Sequence, residues 1–158
     1  GVGDTTGIAL VEVYDADANA VTSRSRRLTN ISTRGPVGSG EKALIAGVVV
    51  AGPGPHTYLI RAAGPTLAGY GVANPLGDPL LQIYQNETLL RENDDWDSPL
   101  TAQAALRTAA TAVGAFQLGS RREAAMLITL QPGSYTAKVT GFNGGAGIGL
   151  IEIYEIAN

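Results

Sequence analysis

Residues 145–155 read GAGIGLIEIYE, and residues 5–15, near the start of the chain, read TTGIALVEVYD. The two stretches align without a gap at an offset of 140 residues (145 minus 5). This spacing is the size of a domain, which predicts one domain plus the last strand of a preceding repeat. The identical pairs are Gly7 and Gly147, Ile8 and Ile148, Leu10 and Leu150, Glu12 and Glu152, and Tyr14 and Tyr154.

Between the two copies, short runs rich in β-branched residues alternate with Gly, Pro and Asn, a pattern typical of antiparallel all-β folds. One short helix is predicted between Pro99, which suits a first helical position, and Gly114, which ends it. The predicted fold class is all-β: an antiparallel, jelly-roll-like β-sandwich with one short helix and an extra N-terminal strand. Its strands are predicted at residues 27–33, 43–50, 57–63, 80–85, 88–92, 124–130, 134–140 and 147–154.

The sequence predicts three parts along the chain. Residues 1–15 form a donor-type strand, the end of a preceding repeat. Residues 16–26 have few large apolar side chains and form a linker, and residues 27–158 form the β-sandwich domain. Because the chain starts at Gly1 and not at Met, we expect a processed product or an excised fragment.

Composition excludes several classes of protein. The chain has 158 residues, with 11 Lys and Arg against 14 Asp and Glu, so nucleic acid is not an expected partner. It has no Cys, which excludes disulfides and zinc–thiolate sites. Its longest apolar run, residues 43–52, is about half the length of a membrane-spanning helix, so no membrane span is expected. The single histidine, His56, has no nucleophile motif beside it, and we expect no enzyme activity.

The chain also resembles a repeat module of very large secreted proteins of environmental bacteria, often found in tandem. The resemblance runs through RLTNISTRGPVGSG (27–40), HTYLIRAAGPTLAGYGV (56–72), DPLLQIYQNETLLRENDDW (78–96) and GAFQLGSRREAAMLITLQPGSYTAKVTG (114–141). More loosely, residues 78–96 and 132–141 resemble pre-peptidase C-terminal domains, which are non-catalytic parts of secreted enzymes. The resemblance implies an extracellular or cell-surface location and neighbouring repeats as partners, and it transfers no catalytic residue.

Two glutamates stand in strands that are apolar on both faces. Glu12 and Glu152 should be costly to bury unless each is paired. Arg61 is a similar lone charge within the apolar run YLIRA. The sequence therefore predicts a buried ion pair of Arg61 with Glu152 or with Glu12.

An acidic cluster surrounds the only tryptophan. Asp94, Asp95 and Asp97 could bind calcium through oxygen ligands, the one hard-metal option that this composition leaves, and no other cofactor is expected. Trp96 could stack on a sugar ring and make a glycan a partner. The alternatives are that these acids are solvated turn residues and that Trp96 covers the edge of the core.

The opening strand leads to the functional hypothesis. Leaving its four large aliphatic side chains exposed forgoes about 6 to 10 kcal/mol of burial, so the strand needs a sheet. Its copy already fills the final-strand position, so it either adds at a sheet edge or enters a neighbouring molecule. We expect a non-catalytic extracellular structural subunit that assembles head-to-tail with itself, as a homopolymer, into a fibre or surface array. The alternative is a calcium- or glycan-binding adhesion module. The predicted assembly residues are Ile8, Leu10, Val11, Glu12, Val13 and Tyr14.

Overall fold

The computed structural model describes residues 7–14 and 28–157. Residues 28–157 form eight strands and one α-helix. The strands are β1 (Asn30–Val37), β2 (Leu44–Val50), β3 (His56–Ala63), β4 (Pro79–Gln85), β5 (Thr88–Asn93), β6 (Ala124–Leu130), β7 (Gly133–Gly141) and β8 (Gly147–Ile156). The helix, α1, spans Leu100–Ala112.

The strands form two antiparallel four-stranded sheets. Sheet A has the order β1-β8-β3-β6, and sheet B has the order β2-β7-β4-β5. The sheets face each other, with β1 against β2 at one end and β6 against β5 at the other. The predicted all-β sandwich is confirmed.

Alternating apolar residues of both sheets fill the space between them. Ile60 of β3 and Ile151 of β8 point inward from sheet A, and Leu81, Ile83 and Val139 do so from sheet B. All five are fully buried. Burying such side chains is the main source of stability in a sandwich of this kind.

A second apolar cluster lies on the other face of sheet A. There α1 packs through Leu106 and Ala110 against Leu59 of β3, with Trp96 beside them. Sheet A is therefore covered on both faces where α1 lies. This explains why β3 carries apolar side chains on both faces from Tyr58 to Ile60.

Most element bounds agree with the sequence predictions to within about two residues. The largest difference is β1, which begins at Asn30 and not at residue 27, and continues to Val37. Pro99 precedes the helix as its N-cap and is not its first residue. In the turn before β8, Asn143 and Gly144 have φ of 50° and 80°, the positive values expected for this pair.

The helix of the described chain is too short and too polar to cross a membrane.

Candidate functional site

Strand β8 occupies a closed slot in the middle of sheet A. It pairs with β1 on one edge and with β3 on the other, so Glu152 lies opposite both Ser32 and Arg61. Ile151 and Ile153 are buried between the sheets. The slot therefore satisfies the backbone and the side chains of the strand that fills it.

The structure brings Arg61 and Glu152 together inside this slot. Arg61 is 1% exposed and Glu152 is 5% exposed. The Arg61 Nε donates to Glu152 Oε2 at 2.9 Å, and its Nη2 donates to the same oxygen. Its Nη1 donates to the Phe116 carbonyl at 2.5 Å, and the guanidinium lies 4.4 Å from the centre of the Phe116 ring. This hydrogen bonding makes a buried charge pair tolerable.

Tyr154 completes the ion-pair site. Its hydroxyl donates to Glu152 Oε1 at 2.7 Å, so both oxygens of the carboxylate accept hydrogen bonds. Burial, the hydrogen bond to Glu152 and the charge of Glu152 together raise the pKa of Tyr154 to about 12, against the opposing charge of Arg61. The phenol therefore stays protonated, and able to donate, well above neutral pH.

A glycine is required where β8 begins. A Cβ on Gly147 would lie 2.7 Å from the Leu76 backbone. The Leu76 N–H donates to the Ile148 carbonyl at 2.8 Å, and the Ile148 N–H donates to the Asn74 carbonyl at 2.8 Å. These two hydrogen bonds hold the backbone of residues 74–76 so close to the start of β8 that a residue larger than glycine does not fit at position 147. Sequence reasoning missed this requirement, although the repeat of Gly7 at Gly147 was a signal for it.

The opening segment, residues 7–14, forms no strand in the isolated chain. All of its residues are exposed, with Ile8 at 94% and Val11 at 82%. Glu12 does not pair with Arg61, and its Oε1 accepts a hydrogen bond of 2.9 Å from the Tyr14 hydroxyl. The predicted strand is thus not formed by the chain alone. The described residues leave out 1–6 and 15–27, and with them the predicted linker 16–26.

Several features of the opening segment match the slot of β8. It has Gly7 at the position of Gly147, and its Tyr14–Glu12 hydrogen bond repeats the Tyr154–Glu152 bond of β8. Two features fit less well. Val11 and Val13 replace isoleucines, and Ala9 stands for Gly149, where a Cβ would lie 2.8 Å from Val37 Cγ2. The chain's own β8 is therefore the better occupant of its own slot.

One edge of sheet A is closed by side chains of β5 and by the connection that follows it. Arg91 Nη1 donates to the Leu127 carbonyl at 3.3 Å, and the Ala125 N–H donates to Asn93 Oδ1 at 2.9 Å. The Trp96 N–H donates to the Glu123 carbonyl at 2.6 Å. These contacts use the outward backbone groups of Glu123, the residue before β6, and of Ala125 and Leu127, the alternate residues that follow along its outer edge. They occupy groups that an added strand would need.

The acidic cluster is used within the fold. Asp97 is buried, and its Oδ2 lies 2.6 Å from Arg121 Nε. Asp94 and Asp95 are half-buried near Asp78, a neighbour that sequence reasoning missed. Burial raises the pKa of Asp78, the charges of Asp95 and Asp94 act in the same direction, and the charge of Arg122 opposes them. In residues 7–14 and 28–157, no group of three or more His, Asp or Glu residues could hold a metal ion.

Trp96 is a core residue in this structure. It is 5% exposed, and its Nε1 donates to the Ser120 carbonyl at 2.8 Å. The guanidinium of Arg107 lies over its ring at 4.7 Å. Its ring therefore packs within the second apolar cluster, beside Leu59 and Leu106.

Glu123 is a buried carboxylate that sequence reasoning did not single out. Its Oε1 accepts from the Thr66 N–H at 2.8 Å and from the Gly64 N–H at 3.3 Å. Its Oε2 accepts from the Thr66 hydroxyl at 2.7 Å and from the Ser120 N–H at 3.4 Å. These bonds join the loop after β3 to the loop before β6, which is a structural role.

Residues 7–14 are an exposed apolar segment, and β8 is the buried strand that they repeat. Searches against protein-family models, curated proteins and solved structures find no match to this chain.

Proposed function

We propose that this chain is a non-catalytic extracellular or cell-surface structural subunit that assembles head-to-tail. Residues 7–14 of one copy are donated as a strand to a neighbouring copy, or to a neighbouring repeat in a tandem array. The observation that carries the proposal is a duplicate: an exposed segment repeats a strand that is buried on both sides in the same chain. The extracellular setting rests on the resemblance to secreted repeat modules.

Energetics explain why the segment needs an acceptor. Burying Ile8, Leu10, Val11 and Val13 would stabilise the strand by about 6 to 10 kcal/mol. Ordering eight residues costs a similar or larger amount, at about 1 to 2 kcal/mol per residue. Burial alone does not offset this cost, so the strand forms only where a sheet also supplies hydrogen bonds.

The slot inside the same chain is already filled by β8. A donated strand must therefore bind to a different molecule. The surface that accepts the strand differs from the segment that is donated. Such a contact is head-to-tail, and it propagates into filaments when the rotation between subunits does not close a ring. The product expected from this geometry is a fibre or a surface array.

The test compares the full chain with a variant that lacks residues 1–14. Light scattering and electron microscopy over rising protein concentration should show growing assemblies of the full chain and monomers of the deletion variant. Val11→Asp should act like the deletion, because it places a charge in the buried face of the donated strand.

A matched control is Leu100→Asp, which puts the same charge at a 68% exposed residue outside the segment and should leave assembly unchanged. Assemblies that persist after the deletion would contradict the proposal, as would a full chain that stays monomeric at every concentration.

The calcium- or glycan-binding adhesion module is a separate proposal. No contact of the acidic cluster favours it, because Asp97 is paired with Arg121 and Trp96 is buried. Titration calorimetry with calcium chloride and a glycan array would test it directly.

A further inference from the structure

We infer that the donated strand adds to the free edge of β1 in the neighbouring copy. This inference rests on the proposed function and names its acceptor. The sandwich has four edge strands, which are β1, β6, β2 and β5. The edge of β6 is closed by the contacts from Arg91, Asn93 and Trp96 described above.

The edge of β5 is also a poor acceptor. Its pairing with β4 is interrupted by a register shift at Ile83 and Tyr84, and it carries Arg91 and Glu92 side by side. Charges and irregular pairing on an edge strand oppose the addition of an apolar strand. Among the edges of the described residues, the end of the sandwich formed by β1 and β2 therefore remains.

The hydrogen bonds of β8 show which backbone groups of β1 face outward. The Glu155 N–H donates to the Thr29 carbonyl at 2.8 Å, so residue 29 points toward β8. Backbone direction alternates along a strand, so the N–H groups of Asn30, Ser32 and Arg34 point to the open edge. Pro36 falls on the same outward side, where its missing N–H costs no hydrogen bond to β8.

The side chains of β1 also suit the opening segment. β1 already pairs with β8, of which the segment is a near copy, with Ile31 opposite Ile153 and Ser32 opposite Glu152. In the same antiparallel register on the outer edge, Val13 would cover Ile31, which is 37% exposed. Glu12 would lie opposite Ser32 and diagonal to the exposed Arg34, which gives opposite charges at neighbouring positions.

Ser32→Pro in the full chain tests this inference. It removes one outward N–H that β8 does not use, in a strand that already holds a proline on the same side. We expect Ser32→Pro to abolish assembly, measured by light scattering, whereas Ser32→Ala, which keeps the N–H, should assemble like the unaltered chain. Thermal melting should show that both variants stay folded.

A second measurement does not depend on proline. The chain has no Cys, so mixing Glu12→Cys with Ser32→Cys reports only disulfides between introduced residues. We expect far more disulfide-linked heterodimer from the mixture of Glu12→Cys with Ser32→Cys than from a control mixture of Glu12→Cys with Val49→Cys, which lies on β2.

The outcomes separate the inference from the proposed function. Assembly that survives Ser32→Pro, or equal cross-linking to both edges, would overturn β1 as acceptor and leave head-to-tail assembly standing. Assembly blocked by Val49→Lys and not by Ser32→Pro would assign the acceptor to β2 and also overturn the inference. An unaltered chain that never assembles would overturn the proposed function itself.

Discussion

Replacing Arg61 by methionine should sharply destabilise the domain. The change removes the Nε and Nη2 hydrogen bonds to Glu152 and the bond from Nη1 to the Phe116 carbonyl. It also leaves the carboxylate of Glu152, which is 5% exposed, buried without its counter-charge. Breaking one partner of a buried pair costs about 3 to 5 kcal/mol. For a domain of this size that loss lowers Tm by about 6 to 20 °C.

The assay is urea and thermal unfolding followed by circular dichroism. The matched control is Arg107→Met, which removes an arginine that lies over Trp96 at the surface and should cost about 1 kcal/mol or less. The double variant Arg61→Met with Glu152→Met should be more stable than Arg61→Met alone, because it leaves no unpaired buried charge. A loss below about 1 kcal/mol for Arg61→Met would refute the reasoning, because it would show that Glu152 does not need the guanidinium.

Three further changes probe the slot and its supports. Gly147→Val should destabilise the fold by about 1 to 3 kcal/mol or more, because its Cβ meets the Leu76 backbone. The matched control is Gly7→Val, whose Cβ meets nothing within 4 Å, and it should leave the unfolding free energy of the monomer unchanged. Glu123→Gln should cost about 1 to 3 kcal/mol in urea unfolding, because its amide nitrogen would face N–H and hydroxyl donors. Equal stability of that variant and the unaltered chain would count against the role of Glu123. Folding holds the pKa of Tyr154 at about 12, above its ordinary value of 10.0, so the folded state keeps a proton that the unfolded state loses. The contribution of Tyr154 to the free energy of unfolding should therefore be fully present below pH 10 and be lost as the pH rises toward 12. Tyr154→Phe should make this decline less steep.

The sequence predicts the sandwich well because its signals are local. Runs of β-branched residues define the strands, and pairs such as Asn143–Gly144 define the turns between them. The partnership of Arg61 and Glu152 is also predictable, because each is a lone charge in an apolar strand and such charges need partners. Nothing local decides between Glu152 and Glu12, and only the strand order places Glu152 opposite Arg61.

Other features depend on contacts between distant parts of the chain. The requirement for Gly147 arises from a loop 71 positions earlier (147 minus 76), and the salt bridge of Asp97 arises from Arg121 across the helix. The closure of the β6 edge by Arg91 and Asn93 has no sequence signature. We propose that residues 7–14 become a strand in a second molecule, and the pattern of one chain does not identify that acceptor.

The central claim is that residues 7–14 form a strand in a neighbour's sheet. Hydrogen exchange followed by mass spectrometry measures this directly, because amides paired in a sheet exchange far more slowly than exposed ones. Peptides that cover residues 7–14 should become protected as concentration rises, and peptides of β8 should stay protected throughout. Exchange of residues 7–14 at the rate of a free peptide in concentrated, assembled samples would contradict the account.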